Sequence, residues 1–488
     1  MKNDLKSDGV LLPDGETGSA FFHRVLLETA ARFPDALGGA RLPRDPRLFK
    51  RQYGDALVRF EAARIASKDR VAIAQDLAER TLASLRLAVD GTPLPLLEAL
   101  KKPSDAPPVE TKKFSGKPGL QARVPFEGRV YEGKDVLTLV DRLHEDHHMS
   151  DAARAALVWI VEHIAAQGGA LDLSAHKFAL LGAGAELSPL SMLLQGGATV
   201  LWIDVKPPRL EDEGALAGTL VHTLAGDDLL NHPRAALALV RRFAEGGPVH
   251  LGMLAYAPGQ SRELRVASVM NAMAQVLGSK AVRSLSMLIS PTSPGETQPE
   301  DARVAEARGR SPQLWQRALD LGRALPRPGH YGTSEQPVAR AIVPLQGPGY
   351  QAAQYLAKIV TAEAFATAGL EGGGTVTVSA NVAGITNTRS LSHPLFQVAF
   401  VGAPSFGVRI FDPETTRALS GLLMLHDVLN PKAPGAAANQ SADKAKAIRA
   451  QQVHGGVYDL PWQFDSCVRV AAVLGAGKKP NLLLRRTG

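Results

Sequence analysis

The sequence predicts an α/β protein with a doubly wound, mainly parallel sheet and a helical N-terminal extension. From about residue 151, short apolar runs alternate with segments of helical length. Such runs, separated by helices, are typical of parallel strands that are covered on both faces. Aromatic residues make up only 5% of the chain and glycine is abundant, which favours close helix–sheet packing over an all-β sandwich.

The chain of 488 residues exceeds what one hydrophobic core usually organises. Residues 1–150 are predicted to form a helical N-terminal region, whose role the sequence does not reveal. Helical spacing covers 19–33 and 52–90, a Pro- and Lys-rich crossing follows at 101–119, and 122–135 has room for a short hairpin.

Strands and helices alternate within residues 151–410, the predicted nucleotide-binding domain. The predicted helices are 151–167, 187–195, 232–245, 262–278 and the one that begins near Tyr350. The predicted strands are the apolar run 177–184 and segments 198–204, 218–224, 249–257, 284–290 and 374–382. This order predicts βαβ units.

Two further stretches complete the organisation. Residues 293–349, with one helical segment at 313–325, are too long for a simple connection and are predicted to cap a site. Residues 411–488 form a C-terminal segment in which 430–447 is predicted to be flexible.

Charge and cysteine content limit the function classes. The formal charge is +7, but Lys and Arg are scattered, so we expect no nucleic-acid partner; the charge suits phosphate-bearing ligands. Cys467 is the only cysteine, which rules out an internal disulfide. Neither a signal peptide nor an 18-residue apolar run is visible, so we expect a cytoplasmic protein without a membrane span.

The clearest local signal is KFALLGAGAELSPLSMLLQGGATVLWIDVKPP, at 177–208. Gly182 and Gly184 permit a tight turn and a close approach of the backbone to a diphosphate, and a following helix would direct N–H groups at it. Asp204 lies 22 residues after Gly182, where a carboxylate can accept hydrogen bonds from ribose hydroxyls. Ala185 belongs to the same turn, and Leu187 takes the place of the third glycine.

This pattern predicts a Rossmann-like domain that binds NAD or NADP. Asp204 favours NAD because it would repel a 2′-phosphate, while Lys206 and Arg209 could reverse that preference. S-adenosylmethionine could use the same turn and acid, although the first strand lacks the acid that usually precedes such a turn. A glycine-rich turn in a protein that binds no nucleotide is the remaining alternative.

Two later segments fit the same cofactor. LAGDD (224–228) places Asp227 or Asp228 where an adenine amine could bind, or forms only a solvated acidic turn. LAYAPG (254–259) ends the next strand, and its small residues, including Ala257 and Gly259, would let a ribose lie against the backbone.

In this order the segments resemble a divergent member of the short-chain dehydrogenase/reductases, of no identified subfamily. The resemblance covers about 175–400: the glycine turn, the acid, Ser290 after a strand, Tyr350 opening a helix, and ANVAGITNT with Gly384 and Thr388. It implies a proton-donating Tyr350, an orienting Ser290, and contacts from Gly384 and Thr388 to the nicotinamide end. A homo-oligomer is also compatible with this architecture.

The sequence departs from the family at the lysine. The family's Y-x-x-x-K becomes Tyr350 with Gln354, and Lys358 follows one turn later. Divergent enoyl-thioester reductases of the superfamily use a wider spacing, so Lys358 is predicted to assist Tyr350, directly or through water. Tyr355 and Lys358 form a second possible pair, and Thr292 and Ser293 compete with Ser290. A core tyrosine capping a packed helix is the alternative for Tyr350.

The sequence therefore predicts hydride transfer between NAD(P) and a carbonyl or activated alkene, on a small-molecule or thioester-linked substrate. An S-adenosylmethionine-dependent transferase and a noncatalytic nucleotide-binding scaffold are the alternatives. No metal site is predicted: HEDHH (144–148) is interpreted as a solvated helix end. VHGG (453–456) and YDLPW (458–462) are interpreted as a substrate-side loop or a subunit contact.

Overall fold

The computed structural model describes residues 9–210, 213–259, 261–439 and 443–482. Part of the stretch predicted to be flexible, 440–442, lies outside the described residues, as do the first eight and the last six residues of the chain. Within the described ranges, none of the helices has the length and apolarity needed to cross a membrane.

A seven-stranded sheet forms the centre of the protein. Its strands are β1 (Glu110–Lys113), β2 (Lys177–Leu181), β3 (Thr199–Ile203), β4 (Thr219–His222), β5 (Val249–Met253), β6 (Val282–Ile289) and β7 (Thr377–Val382). They lie in the order β7-β6-β5-β2-β3-β4-β1, with every pair parallel except β4–β1. The predicted α/β class with a mainly parallel sheet is confirmed.

Helices cover both faces of the sheet because alternate strand residues point to opposite sides. Ala179 and Leu181 of β2 belong to one hydrophobic core, whereas Phe178 and Leu180 belong to the other. The helices on the first side include Gly18–Arg32, Pro46–Ala66, Arg70–Ser84, Leu96–Lys101, Pro233–Ala244, Arg262–Ala281, Gly347–Gln354 and Thr361–Ala368. Those on the second side are Asp135–Glu145, Asp151–Ala166, Leu190–Gln195 and Pro413–Leu429.

The remaining elements surround the carboxyl end of the sheet or lie at its periphery. The helices are Pro34–Leu37, Pro299–Arg310, Leu314–Leu321, Pro394–Gly402, Lys444–Ala447 and Phe464–Lys478. Three small antiparallel sheets lie outside the central one. In the first, Arg86–Val89 pairs with Val10–Leu11 on one side and Thr92–Pro95 on the other; the others pair Arg123–Phe126 with Arg129–Glu132, and His330–Gly332 with Pro337–Ala339.

The edge strand β1 lies inside the stretch 101–119, where the sequence predicts only an exposed crossing. All four of its residues, ETKK, are exposed, and they pair antiparallel with β4. A strand that buries no side chain carries no apolar alternation, which is why pattern reasoning overlooks it. Its charges also discourage further pairing at the sheet edge.

A buried ion cluster joins the N-terminal helices to the helix Thr361–Ala368. Its members are Glu61, Arg64, Arg70, Glu296, Glu363 and Arg449. The carboxylate of Glu363 lies 3.0 Å from Arg64 and 2.8 Å from Arg70. The N-terminal region thus contacts the helical segment that follows Tyr350.

Candidate functional site

The candidate site lies at the carboxyl edge of the sheet, where the strand order reverses. From β2 the chain proceeds outward through β3 and β4, and then returns to add β5 on the other side of β2. Loops that leave β2 and β5 at such a reversal separate and form a crevice where ligands bind in open α/β sheets. Met253 of β5 pairs with Leu181 of β2, so the loops that follow them start side by side.

Gly182 begins the loop after β2 and cannot be replaced without a backbone shift. Its φ is +88°, and a Cβ at this position would lie 2.2 Å from the backbone nitrogen of Ala255, in the loop after β5. Both the left-handed conformation and the close approach therefore require glycine. This agrees with the prediction of a tight turn.

Asp204 follows β3 and closes against the same turn. Its carboxylate accepts hydrogen bonds from the N–H of Gly184 at 3.0 Å and of Lys206 at 3.4 Å. The Gly184 N–H, which is predicted to face a diphosphate, is thus bonded to the Asp204 carboxylate, which is predicted to face a ribose. A nucleotide that binds at this turn has to break this hydrogen bond and form its own bonds with the Gly184 N–H and the Asp204 carboxylate.

The helix after the turn begins later than predicted. It spans Leu190–Gln195, whereas the sequence predicts 187–195, and Ala185 and Leu187 lie in the nonhelical segment before it. The N-terminal N–H groups of this short helix are therefore separated from Gly184. Leu187 instead lines a small cavity together with Leu254.

Asp227 lies behind the turn and is already bonded. Its N–H donates to the carbonyl of Asp204 at 2.6 Å, and its carboxylate accepts from the Thr223 hydroxyl at 2.9 Å. Burial raises the pKa of Asp227. This arrangement supports the loop that carries Asp204.

The loop after β5 is held by an acid that the sequence did not single out. The N–H of Ala257 donates to Glu263 at 2.9 Å, so this glutamate fixes the LAYAPG loop. Gly259, with φ +98°, lies at the exposed end of the loop.

Ser290 follows β6 and contacts two predicted site residues. Its N–H donates to the side-chain oxygen of Gln354 at 3.1 Å. Tyr350 lies close by: burial raises the pKa of its phenol, and the neighbouring hydroxyls of Ser290 and Thr292 oppose that rise. The structure thus brings Ser290, Tyr350 and Gln354 together.

Two residues that sequence reasoning did not assign extend this hydroxyl chain. Ser290 Oγ lies 2.9 Å from Thr292 Oγ1, and the Thr292 hydroxyl donates to Gln346 Oε1 at 3.0 Å. Thr292 was only a competitor for the role of Ser290, and Gln346 carries no motif. Ser293 makes no comparable contact; its buried hydroxyl is without a hydrogen-bond partner.

Lys358 reaches the same group of residues through Glu263. The two side chains lie 3.9 Å apart; Glu263 is buried and the Lys358 side chain is 14% exposed. Burial lowers the pKa of Lys358 and raises that of Glu263, while each opposes the other's shift. The Glu263 carboxylate also raises the pKa of Tyr350, so Tyr350 and Lys358 both face this acid.

A π-helical turn explains how Lys358 comes to face the site. The helix is α-helical over Gly347–Gln354, π-helical over Tyr355–Val360 and α-helical again over Thr361–Ala368. In a continuous α-helix, positions i and i+8 point about 80° apart. The wider π turn rotates less per residue and reduces this angle. The π turn therefore rotates Lys358 closer to the face that carries Tyr350.

The second predicted pair, Tyr355 with Lys358, is not formed. The Tyr355 hydroxyl is buried and donates to Glu61 at 2.7 Å, within the ion cluster. Tyr355 therefore anchors the helix to the N-terminal region and has no part in the candidate site.

Gly384 and Thr388 lie in the loop after β7. A Cβ at Gly384 would lie 2.4 Å from the ring of Phe411, so this glycine permits close packing of the loop. Thr388 contacts the Ser390 hydroxyl at 2.9 Å, and the N–H of Arg389 donates to Glu186 at 3.1 Å. This loop thus closes against the glycine turn.

Two of the unassigned motifs, VHGG and YDLPW, meet Asp301 in one buried cluster. Ligand atoms of Asp301, His454 and Asp459 all lie within 4.8 Å of one another. However, the N–H of Gly456 donates to His454 Nδ1, and His454 Nε2 faces Asp301 at 3.3 Å, so a proton on Nε2 fills the position between them. Neither ring nitrogen then offers a free lone pair to a metal, and Arg308 lies 3.5 Å from Asp459.

The HEDHH segment is only partly the solvated helix end that the sequence predicts. His144 is near the surface and pairs with Asp151 at 2.6 Å. His148 is buried, and burial lowers its pKa to about 4.

Comparisons with known proteins yield no relative that would assign this site. No family model matches the chain, and no curated protein matches it. The function is therefore argued from geometry and chemistry.

Proposed function

We propose that this protein is an NAD(P)-dependent oxidoreductase that transfers hydride to a carbonyl or an activated alkene, with Tyr350 as proton donor. The observation that carries the proposal is the arrangement at the carboxyl edge: Gln354, from the helix of Tyr350, holds the Ser290 backbone at 3.1 Å, and Lys358 lies 3.9 Å from Glu263. The resemblance to the short-chain dehydrogenase/reductases points the same way.

The residues around the glycine turn fit a dinucleotide. The absence of a Cβ at Gly182 lets the Ala255 backbone pack against the turn, and Asp204 offers a carboxylate at the end of the next strand. Gly182, Gly184 and Ala185 would hold the diphosphate and Asp204 the ribose hydroxyls. The nicotinamide would supply the hydride.

Tyr350 is suited to act as an acid. The phenol is neutral at pH 7 and can donate a proton, although burial raises its pKa and so makes it a weaker acid. An alkoxide that develops during carbonyl reduction is far more basic than a phenolate, so the transfer is favourable. Ser290 and Thr292 would orient the carbonyl oxygen. This arrangement favours reduction over oxidation, which needs a phenolate base.

Gln354 and Lys358 have different roles in this mechanism. Gln354 holds the Ser290 backbone and so positions the hydroxyl rather than reacting. Lys358 is paired with Glu263, and its positive charge offsets the acid's repulsion of a negative transition state.

A noncatalytic nucleotide-binding scaffold is the rival with a specific observation in its favour. Glu263 is paired with Lys358 and partly neutralises the charge that would assist Tyr350. An S-adenosylmethionine-dependent transferase gains no such support from the geometry.

Binding titrations with NADH, NADPH and S-adenosylmethionine test the proposal. We expect a saturable signal with a reduced nicotinamide nucleotide and none with S-adenosylmethionine, in calorimetry and by nucleotide fluorescence. Binding of S-adenosylmethionine alone would favour the transferase. Absence of binding by either nicotinamide nucleotide at millimolar concentration would remove the redox assignment.

A further inference from the structure

An apolar pocket adjoins the Ser290–Tyr350 group. Thr292 and Gln346 line it at one end, and these are the two residues that extend the hydroxyl chain from Ser290. The rest of its wall is apolar apart from the thiol of Cys467 and comes mainly from the helices Pro394–Gly402 and Phe464–Lys478. The pocket is thus polar only where it meets the candidate catalytic residues.

We propose that this pocket binds the aliphatic acyl chain of the substrate, with the reactive carbonyl at Ser290 and Tyr350. The inference rests on the proposed function and names its substrate class. The chain would lie among Phe396, Phe400 and Phe464, and Thr292 would mark the boundary between chain and carbonyl.

The wall chemistry decides between an acyl chain and a polar substrate. Burial of each CH₂ of a ligand is favourable, whereas a hydroxyl or charge placed against these side chains would lose its water without finding a partner.

The pocket is also unlike a packing defect. Native cores are filled to crystal-like density, and an apolar void destabilises the fold in proportion to its volume. A void that opens toward hydroxyl groups and is lined by several phenylalanines is better explained by a ligand than by poor packing.

Cys467 provides a reporter inside the wall. It is the only cysteine in the chain and is 2% exposed, and burial raises the pKa of its thiol. A neutral alkylating reagent such as N-ethylmaleimide should therefore modify it slowly. An acyl chain in the pocket should slow the modification further.

The first experiment uses the full-length protein with cis-parinaric acid, a fluorescent fatty acid, and dodecanoic acid as competitor. We expect saturable binding with about one site per chain. Dodecanoic acid should displace the probe at least tenfold more effectively than butyric acid and should slow Cys467 alkylation at least threefold. Absence of saturable binding, or equal displacement by both acids, overturns the proposal.

A matched pair of variants locates the site. Val468 lines the pocket, whereas Val473, on the same helix, is 73% exposed. Val468→Phe should weaken probe binding at least tenfold, and Val473→Phe should leave it unchanged. Equal affinities of the two variants, both folded by circular dichroism, would place the acid elsewhere and overturn the proposal.

The outcome is separable from that of the proposed function. Nucleotide binding without acyl binding would refute the acyl pocket and leave the redox proposal intact. Acyl binding without nucleotide binding would support the pocket and remove the oxidoreductase.

Discussion

Tyr350 carries the proposed chemistry, and its environment decides what it can do. The phenol faces the Ser290 and Thr292 hydroxyls, and the nearby Glu263 carboxylate disfavours its ionisation. A tyrosine in these surroundings remains a proton donor over the physiological pH range. Its removal should therefore affect the proton-transfer step more than ligand binding.

We expect Tyr350→Phe to lower kcat at least 100-fold with little change in the Kd of the nicotinamide nucleotide, because general acid catalysis contributes about 10²–10⁴-fold. The measurement is NAD(P)H oxidation with a 3-oxoacyl thioester. Tyr331→Phe, outside the candidate site, is the control. Unchanged turnover in Tyr350→Phe would exclude the tyrosine from the mechanism.

Asp204 controls access to the glycine turn. Because its carboxylate accepts the Gly184 N–H, Asp204→Ala frees that donor and also removes the ribose acceptor and a negative charge. We expect NADH affinity to fall about tenfold, the size of one lost hydrogen bond to a charged group, and NADPH affinity to fall less. Calorimetry measures both. A larger loss for NADPH than for NADH would contradict this role.

At the scale of single residues, the sequence predicts those site residues whose positions are determined by local backbone geometry. Gly182 and Asp204 follow from a strand, a turn and a strand, so local spacing is sufficient to find them. Glu263 and Gln346 could not be found in this way. They reach the site from a helix after β5 and from the insertion before Tyr350, and their contacts depend on tertiary packing.

Among the elements, the Tyr350 helix shows what periodicity cannot reveal. The apolar spacing predicts a helix but not the π turn at Tyr355–Val360. The turn is stabilised by local and distant contacts: the Thr361 hydroxyl donates to the Leu356 carbonyl at 2.6 Å, and Tyr355 donates to Glu61. The sequence does not show which carbonyl loses its α-helical partner.

The buried ion cluster tests whether the N-terminal helices and the Tyr350 helix act as one element. Glu363→Gln leaves Arg64 and Arg70 without their shared charge partner, so it should lower the free energy of unfolding by about 3–5 kcal/mol at pH 7. Urea denaturation measures the loss. Glu371→Gln is the control, because this residue forms only an exposed pair with Lys101 and should change stability by less than about 1 kcal/mol.

The pH dependence of this effect has a definite sign. Burial alone would raise the pKa of Glu363, but Arg64 and Arg70 lower it to about 2. Its stabilisation is therefore present above the unfolded pKa of about 4.5 and is lost as the pH falls through about 2. Equal stability of the wild type and Glu363→Gln at pH 7 would show that the cluster does not couple the helices.

For the whole molecule, the alternation of apolar runs and helices was sufficient to predict a mainly parallel sheet covered on both faces. The six parallel strands lie in segments that the sequence marks as strands. Strand order and the meeting of distant segments were not predictable in the same way. His148, His454 and Asp459 come from three separate motifs. The sequence does not show that residues 144–148 lie beside 453–462, so the proximity of these motifs could not be predicted.

The same long-range packing buries three histidines in neutral form and so determines how the whole protein responds to acid. Burial lowers the pKa of His148 and His330 to about 4 and of His250 to about 3. Each favours the fold above the unfolded pKa of 6.5 and loses this contribution as the pH falls through its folded value.

Asp459 acts in the opposite direction. Burial raises its pKa to about 6, so the charged carboxylate lowers the free energy of unfolding above that pH. This loss disappears as the carboxylate binds a proton. At pH 5, the unfolded chain binds three more protons at the histidines and one fewer at the aspartate, a net excess of about two. Together these four groups should then lower the free energy of unfolding by about 3 kcal/mol per pH unit on acidification near pH 5.

Urea denaturation between pH 6.5 and 4.5 measures this slope. His250→Gln should make it shallower by about 1.4 kcal/mol per pH unit, because one proton-uptake site of the unfolded chain is lost. His232→Gln should leave it unchanged, since His232 is exposed. Asp459→Asn should make it steeper by the same amount, because the opposing proton is removed. If the three variants give the same slope, burial of these groups does not control the acid stability of the fold.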